Sequence, residues 1–176
     1  MIEKRDLLQA VNQTEFHVVE ISPCDIVFEE RVKLLCYYCP KYGTRRTCPP
    51  AVPSLDWKKL VQEYENCWIV YSKTSFSGEI TKESRRVSSM ALYAQLYALE
   101  GLLHGSGYPL AVFFGGGSCK LCEGGIGCSP ECHHPSRSRI PIEAIGVNVV
   151  KVLQQVEVQL PFPPKDEYFR VGMLLW

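Results

Sequence analysis

The 176-residue sequence has no surplus of charge, with 19 Lys and Arg against 19 Asp and Glu. A general nucleic-acid binder needs a basic excess to displace counterions from phosphates, so that class is excluded. Its longest apolar stretches, such as Leu110 to Phe114, fall far short of the roughly 20 residues that cross a bilayer, and no membrane span is expected. The opening Met1-Ile2-Glu3-Lys4-Arg5-Asp6 mixes acids with bases and leads into no apolar core. No secretory signal is read there, and the cytoplasm is the expected compartment. There is no solenoid repeat, no low-complexity tract and no Pro/Gly linker, so one domain over residues 1–176 is expected. Gly115-Gly116-Gly117 lacks the Lys-Ser/Thr of a phosphate loop.

What is abundant is cysteine, nine in all. In a reducing compartment a pattern of this kind points to metal binding or catalysis rather than to disulfides. Seven of the nine fall into two groups. Cys36, Cys39 and Cys48 form CxxC and one later cysteine, within CYYCPKYGTRRTCPP. Cys119, Cys122, Cys128 and Cys132 form CxxC followed by two more. A CxxC turn aims two sulfurs at one centre, and cysteines further along return to it from the far side of the loop. The second group is therefore a complete four-thiolate shell.

Zinc ribbons pair two CxxC turns, and neither group has a second one. Staggered CxxC, C, C spacing in a single loop favours a cubane iron–sulfur cluster. Gly115, Gly116, Gly117, Gly124, Gly125 and Gly127 suit it, because bare backbone N–H groups can approach sulfur closely there. Pro40, Pro49 and Pro50 beside the cysteines point the same way. The fourth position of the first group stays open among Cys24, Cys67, His17, a residue of the other loop, or no protein atom at all. Cys24 and Cys67 adjoin apolar segments and are expected as core thiols, His17 as a surface residue. His133 and His134 follow a closed shell and are expected to support or flank it rather than ligate. Lys41, Arg45, Arg46, Lys120, Arg137 and Arg139 lie in or beside the loops. They balance the negative charge of a thiolate centre or form a docking patch for an acidic redox partner, with charge balance the weightier reading.

Hydrophobic periodicity predicts alternating strands and helices. Strands are expected at 15–21, 67–72, 109–114 and 169–176. One helix is expected to open at Pro23-Cys24-Asp25 and run to Leu35, and another to start at Ser54. A third spans Thr81 to about His104 on an apolar face of Val87, Met90, Ala91, Ala94, Tyr97, Ala98, Gly101 and Leu102, and a fourth runs from Pro141 to about Gln154. The expected class is α/β, with α+β as the alternative. The picture is a single-domain sandwich with a mixed sheet and two cysteine-rich metal-binding loops.

The stretches CYYCPKYGTRRTCPP (36–50), GGGSCKLC (115–122), CSPECHHPSRSR (128–139) and PIEAIGVNV (141–149) resemble an uncharacterised prokaryotic family of predicted metal-binding proteins, seen largely in anaerobes and archaea. The resemblance runs from about residue 20 to the end. Ile142 stands where that family usually has Met, and Asn148 where it has Asp. It implies metal binding and adds no reaction. The combined expectation is a cytoplasmic iron–sulfur protein with one or two [4Fe–4S]-type clusters on Cys36, Cys39, Cys48, Cys119, Cys122, Cys128 and Cys132. Its role would be electron transfer, alone or as a redox subunit, with a redox protein as partner and neither nucleic acid nor membrane. The alternatives are a zinc-stabilised interaction module and a metal-dependent enzyme using an open coordination position at Cys36/Cys39/Cys48. No residue is singled out as catalytic.

Overall fold

The computed structural model describes residues 4–12, 15–122, 128 and 131–176. In chain order its strands are β1 (His17–Ile21), β2 (Cys67–Ser75), β3 (Val112–Phe114) and β4 (Glu167–Leu175). Its α-helices are α1 (Lys4–Asn12), α2 (Glu30–Tyr37), α3 (Trp57–Gln62), α4 (Lys82–Gly105) and α5 (Val149–Gln155). Short 3-10 turns lie at Pro23–Asp25 and Ile142–Ile145. The strands make one sheet in the order β1-β2-β4-β3. The expected α/β class holds, but the expected mixed sheet does not, because no named strand pairs in parallel. All three strand pairings are antiparallel, and the parallel element is an isolated bridge between Gly115 and Pro141.

A strand covered on both faces has no polar side, and β2 reads accordingly as the near-continuous apolar run Cys67-Trp68-Ile69-Val70-Tyr71. Alternation sends Cys67, Ile69 and Tyr71 into a core with Trp57, Val61, Ile142, Ile145, Val152 and Leu153. Trp68 and Val70 enter a second core, where Leu7 and Val11 of α1 meet the α4 leucines. Helices therefore cover the sheet from both sides. With Leu7 and Val11 buried and Ala10 packed beside them, α1 presents too short an apolar pattern to be read from sequence.

The boundaries of α4 match the expectation, because the Thr81 hydroxyl caps its N-terminus by accepting the Ser84 N–H at 3.0 Å. Its buried face does not match. The core side carries Ser88, Ser89, Leu92, Leu96, Leu99, Glu100 and Leu103, while the expected Val87 is 57% and Leu102 43% exposed. A reading by hydropathy avoids a stripe containing two serines and a glutamate. In the fold those groups are satisfied: Arg170 donates to the Ser88 hydroxyl at 3.1 Å, and Glu100 pairs with Arg139.

The helix expected from Pro23 to Leu35 is broken, since Phe28 bridges to Val147 and Glu29 is extended. Cys36 consequently sits in the last turn of α2 rather than in a loop. α3 begins after Asp56, whose carboxylate accepts the Lys59 N–H at 3.0 Å, and not after Ser54. The helix expected from Pro141 is two pieces, separated at Gly146, whose φ of 93° is left-handed.

Gly172 of β4 is a point of close approach. A Cβ there would lie 2.5 Å from Leu96 Cδ1 and 2.9 Å from the Phe114 carbonyl oxygen. Gly172→Ala is expected to destabilise by about 1–3 kcal/mol through overpacking, read as a lower urea midpoint at unchanged slope. An unchanged midpoint would show that α4 lifts off the sheet without cost.

Candidate metal centre

The first cysteine group is shaped by the end of α2. The Cys39 N–H donates to the Cys36 carbonyl at 3.1 Å, and the Tyr42 N–H to the Cys39 carbonyl at 2.9 Å, so the chain keeps turning. Gly43, with φ 70°, donates its N–H to the Pro49 carbonyl at 2.9 Å. That bond closes the loop and returns Cys48 to the neighbourhood of Cys36 and Cys39. The three thiols are near enough for one thiolate to disfavour another. Burial pushes Cys48 up to about 11, with Cys36 and Cys39 adding to the shift. Burial likewise pushes Cys36 up, followed by the charges of Glu143 and Cys39. A bound cation reverses this balance by stabilising the thiolate form.

Cys36, Cys39 and Cys48 share the wall of a cavity of about 260 Å³. Val32, Leu35, Tyr42, Pro49, Pro141 and Ala144 make it largely apolar, and Lys41 and Glu143 are its charged members. Glu143 follows Pro141 at a helical turn, where an acid reads from sequence as a capping preference. In the fold its Oε2 accepts the Gly117 N–H at 3.1 Å. Burial pushes its carboxyl up, opposed by its own and the Gly117 backbone N–H and then by Lys120 and Arg170.

The second group starts where β3 runs into the glycines. Gly116 allows close approach to β4, since a Cβ would stand 2.5 Å from the Val171 carbonyl oxygen. Gly124, Gly125 and Gly127 lie outside the described residues. Burial raises the Cys119 thiol, countered by the Leu121 N–H, and Cys128, Cys122 and Cys132 raise it further. Cys119 is thus within electrostatic reach of the other three thiols. Among the described residues, no three or more His, Cys, Asp or Glu side chains stand converged as a ready ion site.

A family model described as Predicted metal-binding protein (DUF2284) matches residues 19–176. The chain belongs to the DUF2284 family. Neither the curated proteins nor the solved structures yielded a match. The matched span agrees with the resemblance seen from about residue 20 onward. Asn148, at one of the two departures noted in sequence, caps α5 by accepting the Lys151 N–H at 3.1 Å, as Asp also can. Its amide also donates to Glu29 at 3.0 Å, which a carboxylate cannot do.

The other candidates of this DUF2284 chain separate clearly. Cys67 is a core thiol. Cys24 is exposed on its 3-10 turn, contrary to expectation, because the turn buries Pro23 and leaves the cysteine outside. His17 is exposed on β1 and stacks on Tyr71 at 5.0 Å. His133 is exposed and His134 half-buried. Arg139 is committed to Glu100, through Nε at 2.9 Å and Nη2 at 2.6 Å, and Arg137 lies over the Tyr97 ring. Lys120 is half-buried and donates to the Ser118 carbonyl at 2.9 Å. Among the described residues no helix is long and apolar enough to cross a membrane.

The donor set suits a soft-metal centre. Thiolates select zinc, Cu(I) and iron–sulfur groups over hard cations. A water's share of liquid volume is about 30 Å³. The 260 Å³ beside Cys36, Cys39 and Cys48 thus accommodates something larger than a single ion.

Proposed function

We propose that the protein is a cytoplasmic iron–sulfur protein of [4Fe–4S] type, working in electron transfer as a carrier or as the redox subunit of a larger assembly. Cys119, Cys122, Cys128 and Cys132 would form the complete shell, and Cys36, Cys39 and Cys48, which line the cavity, a three-thiolate site. The observation that carries this reading is the cavity itself, with three thiols on one largely apolar wall and more room than one ion fills. A cluster held there takes up and returns single electrons. The chain's own part is to line the site with the apolar side chains of Val32, Pro49, Pro141 and Ala144, because lower polarity strengthens the local electrostatics. Leu35, Tyr37 and Tyr38 are 71%, 61% and 74% exposed around this group. Apolar surface beside a redox site supports docking of a redox protein partner.

The test is anaerobic purification, a visible spectrum, and iron, sulfide and zinc assays on one sample. A brown protein with a broad band near ~400 nm and about four or eight irons per chain is expected. Replacing Cys36, Cys39 and Cys48 together by alanine should bring about eight irons down to about four. A colourless protein with about one or two zincs and no sulfide, even after anaerobic reconstitution, would overturn the proposal in favour of a zinc-stabilised module.

A further inference from the structure

Although some eighty residues separate Cys39 from Cys119 in sequence, the fold ties the two groups together at two independent places. In the first, Cys128 is held by the first loop: its N–H donates to the Thr44 carbonyl at 3.0 Å, and the Arg46 N–H points to its Sγ at 3.5 Å. Thr44 and Arg46 lie between Cys39 and Cys48, so a member of the second group is clasped by the loop that carries the first.

In the second, Gly117 and Ser118 line the cavity of Cys36, Cys39 and Cys48, and the next residue is Cys119. Consecutive Cα atoms are 3.80 Å apart, so the second group begins one residue beyond the first group's wall. Two opposite charges occupy this junction. Glu143 accepts the Gly117 N–H and is felt electrostatically by Cys36. Lys120 caps the Ser118 carbonyl, and its ammonium lies 3.8 Å from where a Gly117 Cβ would stand. Glu143 and Lys120 thus both meet the Gly117–Ser118 segment that joins the cavity of the first group to Cys119.

We infer that the two cysteine groups are a coupled pair, with Glu143 and Lys120 as positioning residues at the Gly117–Ser118 junction between them, so that filling or reducing one group changes the other. This rests on both groups binding metal, as proposed above. The coupling consumes no co-reactant and makes or breaks no bond. It acts through charge across a half-buried wall, where water screens poorly.

The experiment uses the full chain, loaded anaerobically, with its metal content assayed first and its electron paramagnetic resonance spectrum then compared at partial and full reduction. Coupled centres are expected to give a simple signal when one is reduced and a split or broadened signal when both are. If the metal found is zinc, cobalt replacement makes the same comparison between partial and full loading. Lys120→Met, which removes a cation, is expected to shift the reduction potentials of both iron–sulfur groups negative, and Lys120→Arg to restore them. A fully reduced or fully loaded spectrum that is the plain sum of two isolated signals would overturn the coupling while leaving metal binding intact. A potential shift confined to one group would overturn the bridging role of Lys120. A chain that takes up no metal would overturn the metal-binding proposal itself, and this inference with it.

Discussion

Glu100→Ala is expected to cost about 3–5 kcal/mol of folding free energy, the usual penalty for removing one partner of a buried ion pair. The Glu100 side chain is 3% and the Arg139 side chain 21% exposed, so water replaces little of what is lost. One further bond goes with it, and two more lose the group that positions their donor. Glu100 Oε1 accepts the Phe113 N–H at 3.1 Å, which leaves a buried β3 donor unsatisfied. The same carboxylate holds Arg139, whose Nη1 donates to the Ser136 and Ser138 carbonyls at 2.9 and 3.1 Å and so fixes the chain just after Cys132. A helix of the second core therefore anchors the exit of the second cysteine loop. Urea unfolding measures the loss. Combining Glu100→Leu with Arg139→Met is expected to recover much of the stability, because an apolar pair carries no stranded charge. A cost below about 1 kcal/mol for Glu100→Ala would put the pair in the class of solvated surface bridges.

The second large effect is alkaline. Burial pushes the Cys67 thiol from 9.0 up to about 12. Below pH 9 the thiol is neutral in both folded and unfolded chains, and its contribution is fully present. Between pH 9 and about 12 the unfolded chain gives up the proton while the folded one keeps it, so stability falls as pH rises. At about 1.36 kcal/mol per unit, the full loss approaches roughly 4 kcal/mol. Other groups also titrate in this window, so the measurement is a difference. Unfolding free energies of wild type and Cys67→Ala are compared from pH 8 to 11. The variant is expected to start lower, having lost buried volume, and then to fall less steeply. Parallel curves would show that Cys67 ionises equally well in both states.

Charge and periodicity made much of this molecule legible in its residues. The strand at Cys67-Trp68-Ile69-Val70-Tyr71, the Thr81 cap and the extent of α4 follow from local preference alone, which acts over a few neighbours. The face of α4 was not legible, because the burial of Ser88 and Glu100 draws on Arg170 and Arg139, 82 and 39 residues away. Nor was the break between the Pro23–Asp25 turn and α2, which depends on Phe28 finding Val147. Glu143 shows the same limit within the candidate site: an acid after a proline reads as a helix start, and its place in the cavity wall depends on where the glycine turn at Gly117 lands.

The sequence by itself determined that the chain has the thiol chemistry and spacing of a soft-metal protein, because ligand type and CxxC geometry are local properties. Only the tertiary structure decided that Cys36, Cys39 and Cys48 open onto one apolar cavity, and that Cys128 is clasped by the loop carrying Thr44. Such contacts depend on how β3, β4 and α2 pack, and side chains far apart in sequence acquire a common environment only once that packing is complete.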